Sequence, residues 1–215
     1  MADPLINQEI GNYRILERLE IGGMSIIYKA FDKKRDEEVA FKVLRENFSD
    51  EPQIISRFKL EAKLTQELDH PNIVPFYDYG EVNGMLYIVI KLMAAGSLYD
   101  RLYRESGITL GKTVHWLGRI AEALDYAHAK KVVHRDLKPG NFLMANDDDV
   151  YLSDFGIARM LEGTTLTATG QAIPGTVRYM SPEQIKAERG LDHSSDIYSF
   201  GIIAYLMTTG HFPFT

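Results

Sequence analysis

The chain has 215 residues, of which 45% are hydrophobic and 25% are charged, and it contains no cysteine. This composition is typical of a globular protein with a sizeable core, and the lack of thiols excludes disulfides, thiolate metal sites and a cysteine nucleophile. Lys and Arg number 24 against 30 Asp and Glu, a formal net charge of −6. Because no basic excess is available to neutralise phosphates, we expect no nucleic-acid partner.

The N-terminus lacks the basic start and apolar run of a secretory signal, and no apolar run reaches the roughly 18 residues of a membrane span. The sequence therefore predicts no membrane segment in this chain. It predicts a cytoplasmic location, either of the whole protein or of the cytoplasmic part of a longer, membrane-anchored one.

The first part of the chain is rich in strand signals. β-Branched and aromatic residues predict five strands, at Tyr13–Leu19, Ser25–Phe31, Val39–Leu44, Ile73–Tyr79 and Met85–Leu92. Asn83-Gly84 predicts a tight hairpin between the last two. One helix interrupts the strands; Ser49 or Asp50 is expected to cap it, with Pro52 in its first turn.

The pattern becomes mainly helical from Ser97 onward. Helices are predicted near Ser97–Tyr103, Thr113–Lys130 and Ser195–Thr209, with short strands and a long irregular stretch, residues 154–183, between the last two. We interpret the chain as an α+β protein of two lobes. Residues 1–12 form an N-terminal extension, residues 13–93 an N lobe and residues 94–215 a C lobe.

Two charged residues stand in apolar surroundings. Glu61 lies on the apolar stripe of the predicted helix, and Lys42 lies within the apolar strand Val39–Leu44. Each alone is readily explained as a charge that reaches solvent. Together they suggest an internal ion pair, because a buried carboxylate needs a cation.

Adjacent glycines, Gly22 and Gly23, stand in a turn between two predicted strands. Such a turn lets backbone N–H groups approach an anion such as phosphate, although a glycine pair in a hairpin is also compatible with a plain turn.

The segment from Val133 to Leu143 contains His134-Arg135-Asp136, with Asn141 five residues after the aspartate, and Asp154-Phe155-Gly156 follows. With these motifs in this order, the sequence resembles the protein kinases. Ser181-Pro182-Glu183 and the helix motif that begins at Asp196 extend the resemblance, which is greatest to the eukaryotic-like serine/threonine kinases of bacteria.

The resemblance implies a two-lobed protein-kinase-like fold, with a small antiparallel β lobe that carries one helix and a mainly helical C-terminal lobe. It runs from about Tyr13 to Thr215, so the C lobe is expected to lack its last helices and Glu183 to lack the arginine partner it has in the family.

The resemblance also implies the catalytic roles. ATP and Mg²⁺ (or Mn²⁺) are the expected cofactors, with Asn141 and Asp154 on the metal, Lys42 on the α- and β-phosphates and Glu61 holding Lys42. Asp136 is the expected base. Lys138 is expected on the γ-phosphate, which favours serine and threonine as acceptors.

Further residues match the family's nucleotide site. The phosphate loop comprises Leu19, Gly22, Gly23 and Ser25; the adenine contacts are Ile27, Ala40, Ile90 and Leu143; the hinge contacts are Lys91 and Met93; and the ribose partner is Asp100. Plain core packing is the alternative explanation for the four adenine contacts.

Regulation is predicted in the irregular stretch. Thr165, Thr167 and Thr169 are candidates for autophosphorylation, paired with Arg135; the alternative is that these threonines merely solvate a loop. The sequence thus predicts an ATP- and Mg²⁺-dependent serine/threonine kinase with protein substrates; homodimer formation is left open. The alternative is a weak or inactive pseudokinase that acts as a nucleotide-binding or scaffolding module, favoured by Glu20 in the phosphate loop and by Thr65 four residues after Glu61.

Overall fold

The structure is a computed structural model that describes residues 3–104, 108–155, 176–186, 188 and 190–214. The chain forms two compact units, Met1–Glu67 with Pro75–Met93 and Leu68–Val74 with Ala94–Thr215. The sequence alone places residues 68–74 in the first lobe. Here they belong to the second unit, where the side-chain amide of Asn72 donates to the Val150 carbonyl at 3.1 Å.

The first unit is built on an antiparallel sheet of six strands in the order β1-β2-β3-β4-β6-β5. The strands are β1 Glu9–Ile10, β2 Tyr13–Ile21, β3 Ser25–Asp32, β4 Glu37–Leu44, β5 Phe76–Val82 and β6 Met85–Lys91. Strand β1 lies in the segment predicted as an N-terminal extension. The Asn83-Gly84 hairpin is confirmed, since both residues have the positive φ of a type I′ turn, 52° and 77°.

Strand β5 begins three residues later than the sequence predicts. Ile73 forms a parallel bridge with Leu152, and the Val74 N–H donates to the Leu152 carbonyl at 3.0 Å. These two apolar residues are therefore extended, but their backbone pairs within the second unit and not with β6.

The two faces of the sheet bury different sets of side chains. Val39, Phe41 and Val43 of β4 join an aromatic cluster that includes Tyr13 and Tyr87. The alternate residues of β4 point to the opposite face, because side chains alternate along a strand. That second face carries the helix, through the cluster of Leu44, Ile54, Phe58, Ala62, Leu86 and Ile88.

Helix α1 spans Pro52–Gln66, and its predicted cap is wrong. The N-cap residue is Glu51, which makes no side-chain cap hydrogen bond. The Ser49 hydroxyl instead donates to the Glu46 carbonyl at 2.7 Å, next to a 3₁₀ turn over Glu46–Phe48. Pro52 occupies the first helical turn, where its missing N–H is not needed.

The second unit is mainly helical. Its helices are α2 Leu98–Arg104, α3 Leu110–Ala129, α4 Pro182–Ile185 and α5 His193–Thr209, and a two-stranded ladder joins β7 Phe142–Met144 to β8 Val150–Leu152. Helix α3 begins three residues earlier than predicted, because Thr109 caps it by accepting a hydrogen bond from the Lys112 N–H. Over the described residues, no helix is long and apolar enough to cross a membrane.

Candidate functional site

In the first unit, the glycine turn joins β2 to β3 and is held by backbone and side-chain hydrogen bonds. The Gly22 N–H donates to the Ser25 carbonyl at 2.8 Å, and the Arg45 N–H donates to the Met24 carbonyl at 3.0 Å. The Arg45 guanidinium also donates to the Gly23 carbonyl at 3.2 Å. A Cβ on Gly22 would lie 3.1 Å from the Ser25 oxygen, whereas one on Gly23 would meet nothing within 4 Å. The space beside Gly23 is therefore open to a ligand.

Lys42 and Glu61 form a buried ion pair in the first unit. The Lys42 Nζ lies 2.5 Å from the Glu61 Oε1, and the two side chains are only 10% and 8% exposed. Strand β4 brings the ammonium to the face of the sheet that packs on α1, and Phe58 and Glu61, which are about one turn apart on α1, are buried on that side. The two anomalies of the sequence thus compensate each other, as a buried charge requires.

The residues expected around adenine share this face of the sheet. Ile27 is directly opposite Lys42 in the β3–β4 ladder, and Ala40 is directly opposite Ile90 in the β4–β6 ladder. Because directly paired residues point to the same side, these apolar side chains surround the lysine on one surface. Ile27 and Ile90 are only half-buried, so plain core packing does not use all of their surface.

The remaining nucleotide candidates of the first unit lie at the ends of strands. Leu19 is 48% exposed on β2, and Ser25 is buried at the start of β3. Of the two hinge candidates, Met93 is buried and Lys91 is half-buried. The Lys91 N–H already donates to the Pro75 carbonyl at 2.9 Å, so this N–H is not available to a ligand.

In the second unit, Asp136, Lys138 and Asn141 come together. The Lys138 Nζ lies 2.9 Å from the Asp136 Oδ2, and the Asn141 side-chain amide donates to the Asp136 carbonyl at 2.8 Å. The Ser153 N–H and hydroxyl both donate to the Asn141 carbonyl, at 2.9 and 3.1 Å. The loop that carries Asp136 is therefore fastened to the residue that precedes Asp154.

His134 forms the base of this loop. Its Nε2 lies 2.9 Å from the Ser153 carbonyl, and its ring packs on the ring of Phe155 with a centroid distance of 4.8 Å. Complete burial lowers the pKa of His134 despite the nearby charge of Asp196, so the ring is neutral. A neutral ring donates from Nε2 to the carbonyl and accepts at Nδ1 from the Asp136 N–H, at 3.3 Å.

Asp196 of α5 is the main anchor of the loop, and its role could not be assigned from the sequence. Its carboxylate accepts from the N–H groups of His134 and Arg135, both at 2.7 Å, and lies 2.8 Å from the His128 Nε2. Burial alone would raise the pKa of Asp196, but the hydrogen bonds from His128 and from the two N–H groups together lower it. The sequence marked Asp196 as the first residue of a family helix motif, but it gave no partner for the carboxylate.

Asn141 and Asp154 offer oxygen ligands of the kind that Mg²⁺ prefers. The nitrogen of the Asn141 amide is used as a donor, so its Oδ1 is the atom that remains for a cation. In the described ranges, no three His, Asp or Glu side chains form a group that could hold a metal alone. Mg²⁺ in nucleotide sites takes one or two protein oxygens and completes its shell with phosphates and water, which fits this donor set.

The other candidates of the second unit have contacts that the sequence did not predict. The Asp100 Oδ2 accepts from the N–H and the hydroxyl of Ser97, at 2.9 and 2.7 Å, at the start of α2. This carboxylate therefore caps a helix, a role that the ribose prediction omits. Leu143 is half-buried on β7 and bridges to Ser97.

Glu183 is hydrogen-bonded although the arginine partner of the family is not expected in this chain. Its Oε1 accepts from the Ser195 hydroxyl at 2.7 Å, which lowers the pKa of Glu183. The neighbouring Gln184 completes a capping box with Ser181 and donates to the Arg135 carbonyl at 2.8 Å. The short helix α4 is thereby tied to the loop that carries Asp136.

The three threonines predicted as phosphorylation sites, Thr165, Thr167 and Thr169, lie outside the described residues, as does Gly156.

A family model described as protein kinase domain matches residues 13–215. The chain belongs to the protein kinase family. Among its relatives are a probable serine/threonine-protein kinase of Clostridium acetobutylicum, 38% identical over 203 residues, and the serine/threonine-protein kinase PrkC of Bacillus subtilis, 39% identical over 212 residues. The serine/threonine-protein kinase PknA of Mycobacterium tuberculosis is 37% identical over 209 residues. These matches cover 94%, 98% and 95% of this chain.

The chain spans only 30%, 32% and 48% of the lengths of these three relatives. A solved structure, that of a mutant PknI kinase domain from Mycobacterium tuberculosis, matches with a TM-score of 0.76 at 24% identity. The match covers 100% of this chain and 80% of the PknI kinase domain chain. The predicted α+β, protein-kinase-like fold and the resemblance to bacterial serine/threonine kinases are thereby confirmed.

Proposed function

We propose that this kinase-family chain transfers the γ-phosphoryl group of ATP to serine or threonine hydroxyls of protein substrates, with Mg²⁺ as the metal. The observation that carries the proposal is the pairing, within the second unit, of Asp136 with Lys138 at 2.9 Å beside the Asn141 amide. Family membership supports it, and the relatives are named as serine/threonine kinases.

The chemistry assigns Asp136 the role of proton acceptor. The substrate hydroxyl oxygen forms a bond to the γ-phosphorus while the bond from that phosphorus to the bridging oxygen of ADP breaks. The proton of the hydroxyl passes to the Asp136 carboxylate, and ADP leaves with the electrons of the broken bond. Lys138 keeps the carboxylate in position and neutralises charge on the transferred group.

The Lys42–Glu61 pair is assigned to the phosphates of ATP. An ammonium on a flexible stem samples many positions, and the buried Glu61 carboxylate limits Lys42 to one of them. The apolar side chains of Ile27 and Ala40 on the same face of the sheet suit an adenine ring. The open space beside Gly23 suits the approach of phosphate oxygens to backbone N–H groups.

Asn141 and Asp154 would hold Mg²⁺. The ion supplies positive charge that neutralises the β- and γ-phosphates during transfer. The hydrogen bond from the Asn141 amide to the Asp136 carbonyl couples the position of the metal ligand to that of the base.

We propose autophosphorylation at Thr165, Thr167 or Thr169, because a phosphothreonine there could pair with Arg135, next to the base. Arg135 is held in a left-handed conformation, with φ 65°, by Asp196. We further propose that the chain is located in the cytoplasm and that it can form a homodimer. The alternative of an inactive scaffold is less well supported, since Lys42, Glu61 and Asp136 are all present and hydrogen-bonded.

A phosphotransfer assay with ATP and Mg²⁺ on the purified chain tests the proposal. The wild-type chain is expected to label a generic acceptor protein, and Lys42→Ala and Asp136→Asn are expected to abolish labelling. The matched controls Lys59→Ala and Asp125→Asn change exposed residues of α1 and α3 and should leave it intact. A folded, monodisperse wild-type chain that transfers no phosphate would refute the kinase proposal.

A further inference from the structure

A buried carboxylate near the N-terminus joins the two strands that lead to the glycine turn. The Asp3 side chain is only 7% exposed. Its Oδ2 lies 2.9 Å from the Arg18 Nη1 on β2, and both of its oxygens accept from the Tyr28 hydroxyl on β3, at 3.1 Å. The Leu5 N–H donates to its Oδ1, also at 3.1 Å. We name this set, Asp3 with Arg18 and Tyr28, the N-terminal clip.

The clip lies beside an irregularity in the pairing of β2 with β3. Arg18 and Tyr28 are direct partners in the ladder, and the register shifts immediately afterwards, between Arg18 and Glu20. A register shift of this kind leaves a residue unpaired and interrupts the ladder. Gly22 follows Arg18 by only four positions, so a contact that fixes the Arg18–Tyr28 pair also fixes the base of the glycine turn.

The segment that carries Asp3 is itself anchored to the sheet. Leu5 packs on the aromatic cluster of the first unit, and backbone hydrogen bonds link Asn7 and Gln8 to Ile15, at 2.9 and 3.0 Å. Strand β1 follows immediately and pairs with β2. This segment precedes residue 13, where the match to the kinase family begins. Of the three clip residues, Asp3 lies outside the part of the chain that the family model matches, whereas Arg18 and Tyr28 lie inside it.

We propose that Asp3 is a positioning residue for the nucleotide, which acts by holding the base of the glycine turn through Arg18 and Tyr28. The proposal rests on the proposed function, because it assigns the phosphates of ATP to that turn. A loop that is already restrained loses less conformational freedom when it closes over its ligand, so the clip strengthens binding of ATP without touching it.

The chemistry of the clip suits a permanent restraint. Burial, together with the charge of Asp3, raises the pKa of Tyr28 to about 12, so the hydroxyl keeps the proton that it donates to Asp3 throughout the neutral range. A charged acceptor also makes this hydrogen bond stronger than one between neutral groups.

The test combines hydrogen exchange of the nucleotide-free chain with nucleotide binding and kinetics. Asp3→Asn removes the charge with almost no change in shape, and Tyr28→Phe removes the donor without touching Asp3. Asp36→Asn, at an exposed turn at the other end of β3, is the matched control. We expect faster exchange of amides 19–27 in both clip variants, unchanged exchange in β4, and non-additive effects in the double variant.

The expected functional effect is about fivefold weaker binding of a non-hydrolysable ATP analogue and a similar rise in KM for ATP, with kcat and KM for the protein substrate unchanged. Unchanged hydrogen exchange of residues 19–27 would show that the clip does not restrain the turn. Faster exchange throughout β4 would show a general loss of stability. Either result would overturn the proposed role of the clip. Unchanged affinity in a loosened turn would overturn its link to the nucleotide. A wild-type chain that binds no nucleotide at all would instead overturn the proposed function, while the exchange result still decides whether the clip exists.

Discussion

Replacing Glu61 by glutamine removes the charge beside Lys42 and keeps the size of the side chain. The ammonium of Lys42 then stays in a place where its side chain is 10% exposed, without the carboxylate that lies 2.5 Å away in the wild-type chain. Removing one partner of a buried ion pair typically destabilises a protein by about 3–5 kcal/mol. Glutamine still offers one oxygen acceptor, so we expect the lower end, about 3 kcal/mol.

Activity should fall more steeply than stability. Without the carboxylate the lysine samples other rotamers, and misplacement of a positioning group by about 1 Å can reduce the rate about 100-fold. We therefore expect kcat/KM of Glu61→Gln to fall by about 100-fold in the phosphotransfer assay. The fall should be seen at urea concentrations and temperatures where the variant is still fully folded.

The control is Glu38→Gln, which removes the same charge from an exposed pair. Glu38 lies 2.7 Å from Lys29, but its side chain is 47% exposed, so solvent and salt screen the interaction. Urea unfolding should show no measurable change for Glu38→Gln. The double variant Lys42→Met/Glu61→Gln should recover much of the lost stability but none of the activity. If Glu61→Gln and Glu38→Gln unfold at the same urea concentration, burial of the pair does not carry the energy assigned to it.

Three further predictions concern the catalytic loop and the glycine turn. Asp136→Asn should lower kcat by about 10²- to 10⁴-fold and leave the affinity for an ATP analogue, measured by calorimetry, unchanged. Equal losses of kcat and of affinity would assign Asp136 a role in binding. Burial lowers the pKa of His134 in the folded chain below the ordinary value of 6.5. The stability that the neutral ring contributes is therefore complete above pH 6.5 and is lost as the pH falls below that value. Urea unfolding between pH 7.5 and 5 should show a decline in the free energy of unfolding that is absent in His134→Gln. Gly22→Ala should destabilise the turn, since its Cβ would lie 3.1 Å from the Ser25 oxygen. Gly23→Ala should leave the stability unchanged and weaken only nucleotide binding, because its Cβ would meet nothing within 4 Å. A lower melting temperature for Gly23→Ala than for Gly22→Ala would contradict this geometry.

The sequence could predict what depends on short-range patterns. The continuous apolar run of β4 and the helical stripe of α1 were enough to single out Lys42 and Glu61, because each residue interrupts an apolar pattern. The Asn83-Gly84 turn was equally local, since only two residues decide its backbone conformation.

What could not be predicted depends on contacts between distant parts of the chain. The extended residues Ile73 and Val74 look like the start of β5, but they pair with Leu152 of the second unit. Asp100 matches a ribose partner by position, yet its carboxylate also caps α2. The clip at Asp3 gave no signal, because a single aspartate close to the N-terminus is usually solvated.

The buried carboxylate of Asp196 holds the backbone of the loop that carries Asp136. Arg135 has a φ of 65° and Asp154 a φ of 53°, a conformation that non-glycine residues adopt only when their surroundings enforce it. Two consecutive N–H groups, those of His134 and Arg135, point at one buried carboxylate, and only a side chain with a charged acceptor can satisfy both at 2.7 Å. At the other end of the loop, the hydrogen bonds from Ser153 to the Asn141 carbonyl fix the strand that leads to Asp154. The strained backbone is thus held by Asp196 of α5 on one side and by Ser153, directly after β8, on the other, and these contacts keep in place the loop to whose Asp136 and Asn141 we assign the reaction.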